Sequence, residues 1–95
     1  MPTQISYTQD IILPNEHGLH ARPATALVKL IKTFTSEIMI SNLNGSGDNV
    51  NGRSMMKVVA LGVKKGHCMR FTATGEDAQQ AIETIAKEIE NGLGE

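Results

Sequence analysis

Tryptophan is absent from this 95-residue chain, and only one tyrosine, two phenylalanines and one cysteine are present. Each shortage excludes something. A single thiol, Cys68, allows no intramolecular disulfide and no C-x-x-C pair for metal or redox work. A buried, inert thiol on a strand is the expectation for it. With Tyr7, Phe34 and Phe71 as the aromatic complement, there is no stacking platform for single-stranded bases, and the core must be aliphatic and methionine-rich. The formal net charge is −1, and the basic residues are not gathered into one run, which argues against a nucleic-acid partner. No apolar run approaches the length of a membrane span. Met1-Pro2-Thr3-Gln4 lacks a charged segment followed by an apolar one. The expectation is a soluble cytoplasmic protein with one domain over residues 1–95.

What is present is periodic. Residues 5–13 read as a strand, with Ile5, Tyr7 and Gln9 on one face before Ile11-Ile12-Leu13, and Pro14-Asn15 opens a loop over 14–19. Ala24, Leu27, Val28, Ile31 and Phe34 have helical spacing across 21–34. A strand over 37–43 leads to Asn44-Gly45. Asn44-Gly45-Ser46 matches the glycosylation pattern, but a cytoplasmic chain never meets that machinery, and a hairpin turn is the commoner use. A short strand near 48–51 follows. Ser54 then stands as an N-cap before Met55-Met56-Lys57-Val58-Val59-Ala60-Leu61, with Gly62 as the stop. Lys64-Lys65-Gly66 makes a turn. Met69, Phe71 and Ala73 alternate with polar neighbours in a last strand, and Ala78, Ala81, Ile82, Ile85, Ala86 and Ile89 define a closing helix. Helices with one apolar face each need a sheet to cover. The order β-α-β-β-α-β-α therefore predicts an α+β, two-layer open-faced sandwich: a four-stranded sheet, mixed or antiparallel, covered on one face by three helices.

The chemistry concentrates at Gly18-Leu19-His20-Ala21-Arg22-Pro23. This run places an imidazole where an extended segment becomes a helix. A helix start offers N–H groups unused by the helix and the positive end of the macrodipole, which together attract anions. If His20 is the N-cap, the Ala21 and Arg22 amides point toward its side chain. Pro23 has no N–H to offer but suits the first turn. A neutral imidazole has a ring lone pair, which nucleophilic attack needs. Arg22 adds a charged fork matched to phosphate oxygens. Such a site can hold a phosphoryl group on His20 without a metal. The plainer alternative is a capping histidine beside a solvated arginine. Metal binding by His17 and His20 finds no second pair of ligands, and no nucleophile-elbow motif supports hydrolysis.

Asn15-Glu16-His17-Gly18-Leu19-His20-Ala21-Arg22-Pro23 resembles the active-site signature of the histidine-containing phosphocarrier (HPr) family of the bacterial sugar phosphotransferase system. Arg53-Ser54-Met55-Met56-Lys57 and Gly62-Val63-Lys64-Lys65-Gly66 resemble that family's second helix and following turn. The similarity runs from about residue 4 to 91. Residues 51–67 are most similar to the HPr-like domain of fructose-specific diphosphoryl transfer proteins, so the chain reads as an excised domain or a free-standing relative. The resemblance implies that His20 is phosphorylated on Nδ1 by enzyme I and passes the group to a sugar-specific A component, fructose-type here. Arg22 and the Ala21 and Arg22 amides would cradle it, with no cofactor and as a monomer. Relatives often carry a small hydroxyl residue at position 21, so Ala21 removes one hydrogen bond. His17 is either a second phosphate contact or an exposed loop residue.

The second helix is implied to form part of the docking surface. Met55 and Val59 share one helical face and Met56 shares another with Ala60, so Met55 and Met56 cannot both be buried. Met55 and Val59 are the expected exposed pair, Met56 the alternative. Flexible methionines suit a surface that accepts several partners. In some relatives the serine matching Ser54 is phosphorylated by a regulatory kinase, although fructose-type sequences generally lack that control. Two other readings use the same fold: a regulatory binding module, and a carrier in the nitrogen-related branch.

Overall fold

Period-two alternation in β4 and one-sided apolar helices set the architecture. The computed structural model describes residues 5–94; Met1-Pro2-Thr3-Gln4, read above for its lack of a leader pattern, lies outside them. The elements are β1 (Ser6–Ile12), α1 (Ala21–Ile31), β2 (Glu37–Asn42), β3 (Asn49–Asn51), α2 (Met55–Ala60), β4 (Cys68–Thr74), α3 (Ala78–Glu90) and a 3-10 turn (Gly92–Gly94). The strands form one sheet in the order β1-β4-β2-β3, and each pairing is antiparallel. In β4, Met69, Phe71 and Ala73 are fully buried while Arg70 is exposed, as strand alternation requires. Ile38 and Ile40 of β2 join them from the same face. Leu27, Val28 and Ile31 of α1 and Ile82, Ile85 and Ile89 of α3 complete the core. Full burial of each such aliphatic side chain is worth about 1.5–3 kcal/mol.

The other face of the sheet carries a polar ladder. Ser6 pairs with Thr74 and Thr8 with Thr72 through hydroxyls 3.3 Å apart, and Arg70 donates to Asp10 at 2.8 and 3.1 Å. Cys68 stands on this open face, half-exposed, rather than buried as expected. With Met69 facing the core, its neighbour must face out.

Some boundaries differ from the sequence reading for local reasons. Helix α1 stops at Ile31 instead of Phe34 because tighter bonds take over: Thr33 N–H donates to Leu30 O at 3.0 Å and Phe34 N–H to Ile31 O at 3.1 Å. The carbonyl of Phe34 then accepts from Arg53 Nη2 at 2.6 Å, which ties the start of α2 to the end of α1. Asn44-Gly45 lies in the β2–β3 connection but does not form a two-residue turn. Ser41 pairs with Asn49, and positive φ falls on Gly47 (81°) rather than on Asn44 or Gly45. Asn44 is drawn along β4 instead: its Oδ1 accepts from the Cys68 N–H at 2.7 Å, while Leu43 N–H donates to Cys68 O at 2.9 Å. The 3-10 turn has no counterpart in the sequence reading. It places buried Leu93 in the core, and Asn15 Nδ2 donates to Gly92 O at 2.9 Å.

Two contacts hold the layers in place. The loop before α1 crosses the 63–67 turn, where Leu19 N–H donates to Val63 O at 2.8 Å. This crossing is too close for any side chain at Gly18, whose φ is +76° and whose added Cβ would stand 2.6 Å from Val63 O. At the far end, Asp77 turns its carboxylate away from its own helix, accepting from Thr35 N at 2.8 Å, Ser36 N at 2.9 Å and Ser36 Oγ. These bonds favour the ionised form and hold the Asp77 carboxyl at about 2, below its ordinary 3.8.

Gly18→Ala should destabilise the fold by at least about 1–2 kcal/mol from the left-handed backbone alone, read by chemical denaturation. An unchanged midpoint would contradict the close crossing. Asp77 has a lowered pKa in the folded state, so its contribution is present above pH 3.8 and fades as pH falls toward 2. Thermal melts of wild type should drop across that window, and Asp77→Asn should melt lower at neutral pH with a flatter acid limb.

Candidate functional site

His20 is the N-cap of α1, with extended backbone at φ −77°, ψ −173°. Three local features put it there. Leu19 is buried and bonded to Val63, Ala24 N–H donates to His20 O at 3.0 Å to begin the helical ladder, and buried Pro23 occupies the first turn. Because the ladder begins with Ala24, the N–H groups of Ala21 and Arg22 take no part in it. The His20 side chain makes no capping bond to its own helix, and His20, Ala21 and Arg22 are all exposed. The first turn holds no acidic residue, so no carboxylate of that turn competes for the positive helix end. The site thus joins an exposed imidazole, two amides outside the helical ladder and a guanidinium at one helix start. An anion at the imidazole would lie at a helix start whose first two amides take no part in the helical ladder.

His17 is exposed on the loop, where it helps line a shallow open hollow of about 480 Å³ with Asn15, Glu16 and Glu90. Among the described residues, no group of three or more His, Cys, Asp or Glu side chains is arranged to hold a metal ion. His67 lies just before β4 rather than within it.

Helix α2 stands beside this site. Thr25 Oγ1 of α1 lies 3.8 Å from Met55 Sδ, and the same hydroxyl donates to Ala21 O at 2.6 Å. Ser54 caps α2 as expected, its Oγ accepting from Lys57 N at 3.4 Å. The exposed pair is corrected: Met56 is 84% exposed and Val59 39%, whereas Met55 packs partly against the core. Val58, fully buried, is the reason. At about 100° per residue, Met56 falls nearly opposite Val58 and Met55 falls close to it. Comparing Met55 with Met56 alone could not reveal which faced inward.

Sequence reasoning missed Asn42, Asn15 and Leu93. Asn42 is a buried amide at the end of β2, Asn15 ties the loop to Gly92, and Leu93 plugs the core after α3. Only Asn15 carried a signal, through its place in the motif.

The chain matches the family described as "PTS HPr component phosphorylation site" over residues 7–91. It is 63% identical over 86 residues to the multiphosphoryl transfer protein of Salmonella typhimurium (strain LT2), a match covering 90% of this chain and 23% of that protein. To the multiphosphoryl transfer protein of Haemophilus influenzae it is 58% identical over 81 residues, covering 85% of this chain and 16% of that one. The chain thus spans about a quarter or less of these relatives. Among solved structures, HPr-C-His from Thermoanaerobacter tengcongensis superposes with a TM-score of 0.85 at 34% identity, covering 94% of this chain and 97% of that one. The phosphocarrier protein HPr from Bacillus anthracis superposes at 0.79 with 29% identity, covering 86% and 94%. The sheet with its helices on one face is that of the family to which this chain belongs, the HPr family of the phosphotransferase system.

Proposed function

We propose that this chain is a phosphoryl carrier, taking a phosphoryl group from phosphorylated enzyme I onto Nδ1 of His20 and passing it to a sugar-specific A component of the fructose type. The observation that carries this reading is the helix start itself: an exposed imidazole with the Ala21 and Arg22 amides outside the helical ladder and no carboxylate in the first turn. Phosphoryl transfer asks little covalent chemistry of the protein. Positioning and charge stabilisation supply most of the catalysis. The Nδ1 lone pair forms the new N–P bond as the bond from phosphorus to the donor atom of enzyme I breaks, and that donor atom keeps the electron pair. Through the transfer, negative charge sits on three phosphoryl oxygens. The two amides and the Arg22 fork can bond those oxygens, and ionised hydrogen bonds of this kind are about twice as strong as neutral ones. The reverse step, to the next acceptor, uses the same contacts.

Met55, Met56 and Val59 lie on the helix beside the site, and Met56 and Val59 give it an exposed apolar contact that a partner can cover. A carrier must release each partner quickly, so a small interface suits it. His17, on the loop rim, is assigned a lesser part as an outer phosphate contact. Ser54 serves as the α2 cap. Phosphate there would put negative charge on the same face and hinder docking. The reading places the protein in the cytoplasm, acting as a monomer. No helix among the described residues is long and apolar enough to cross a membrane.

Incubation with phosphoenolpyruvate and enzyme I should give one acid-labile phosphoryl adduct by intact mass, absent in His20→Ala. An adduct that survives that substitution would overturn the reading. Arg22→Ala should keep the fold and slow transfer roughly ten- to a hundredfold, the loss expected for one charged hydrogen-bonding partner. Transfer to a fructose-type A component should outrun transfer to a glucose-type one; equal rates would remove the fructose assignment.

A further inference from the structure

Leu13 and Leu19 flank the loop that presents His20, and both are held by one short turn. Gly66 N–H donates to Leu13 O at 2.9 Å and Leu13 N–H to His67 O at 3.0 Å, while Leu19 N–H donates to Val63 O at 2.8 Å. The turn itself is closed by His67 N–H to Lys64 O at 2.9 Å. The side chain of His67 also bonds back across the turn. Its Nδ1 lies 3.1 Å from the Lys64 backbone N–H, which can only donate.

A second donor faces the same nitrogen. The buried side chain of Asn42 accepts from Asn44 N–H through Oδ1 at 3.0 Å and donates from Nδ2 to Leu61 O at 3.1 Å. Those two backbone partners fix which way the amide points. Its Nδ2 therefore stands 3.3 Å from His67 Nδ1 as a donor. With two N–H groups aimed at it, Nδ1 must carry its lone pair, and the ring proton belongs on Nε2.

We propose that His67 is a positioning residue for phosphoryl transfer: through its Nδ1 acceptor it shapes the 63–67 turn, and through Val63 and Leu13 that turn sets where the loop delivers His20. Asn42 extends the link to Leu61, which caps α2, so one polar cluster aligns the nucleophile with the docking helix. The proposal rests on the reading of His20 as the phosphoryl acceptor.

The test compares His67→Ala and His67→Asn with wild type. The amide oxygen of asparagine stands one bond beyond Cγ, where Nδ1 stands, and accepts without a ring. Two-bond proton–nitrogen spectra of wild type should show His67 protonated on Nε2 and bare on Nδ1. His67→Ala should lose the slow exchange of the Lys64 amide, move the His20 ring resonances and slow phosphoryl uptake from phosphorylated enzyme I roughly three- to tenfold. His67→Asn should restore all three. A proton on Nδ1, His67→Ala transferring at the wild-type rate, or His67→Asn as slow as His67→Ala would each overturn the assignment. If His67→Ala does not fold, the wild-type tautomer and the His67→Asn rate still decide it. Wild type that takes no phosphoryl group would instead overturn the carrier reading, and the tautomer and amide exchange would then judge the contact alone.

Discussion

The site depends on the main-chain bonds between the 63–67 turn and the two ends of the 14–19 loop. Leu13 and Leu19 bury their side chains in the core, and their backbone groups are bonded to Gly66, His67 and Val63. A loop anchored at both ends by buried residues leaves little freedom to the residue that follows. Here that residue is His20, whose ring nevertheless faces solvent. For the carrier proposed above, the arrangement would reconcile two demands: a nucleophile accessible to large partners, and a backbone that does not have to be ordered at each encounter. Ordering a residue costs about 1–2 kcal/mol, and here the fold has already met that cost. Gly18 is the one place where the crossing constrains the residue type absolutely, because backbone occupies the space a Cβ would need.

The same economy governs α2. A helix of six residues is far too short to persist alone, so its stability comes from what it touches. Val58 is fully buried, Ser54 caps the first turn, Arg53 reaches the carbonyl of Phe34, and Asn42 holds the carbonyl of Leu61. Both ends are thus pinned, and one face is left to solvent. Exposing Met56 forgoes burial energy, which a docking partner can recover. Since the partly buried Met55 contacts Thr25, α2 packs beside the helix that carries the histidine. In the proposed reading, partner recognition and phosphoryl chemistry share one surface built from different parts of the chain.

Much of this was legible in advance, for identifiable reasons. Helices α1 and α3 have long, one-sided apolar patterns, and β4 alternates cleanly, so their existence and inward faces follow from spacing alone. His20 could be recognised as a cap because Pro23 and the apolar period after it mark a helix start. Less legible was whatever depended on residues distant in sequence. Phe34 has the right spacing to continue α1, but its carbonyl is taken by Arg53 and the helix tightens before it. Asn44-Gly45 favours a two-residue turn, yet pairing with β4 draws Asn44 elsewhere. The choice between Met55 and Met56 needed the position of Val58 relative to the core. Leu93, beyond the last periodic segment, has no pattern to mark it.

By itself the sequence pointed to the kind of chemistry available: a histidine, an arginine and a proline at a helix start, with no second pair of residues at metal-ligand spacing and a single cysteine. Local order carries that information, because capping and first-turn preferences span only a few residues. The identity of the group transferred came from family membership, which physical reasoning on spacing could not supply. Tertiary structure decided where His20 stands and what lies beside it. His67 and Asn42 are unremarkable in the sequence, separated by 25 positions. They become neighbours only when β2 and β4 pair, and a buried amide finds its hydrogen-bond partners only in the folded chain.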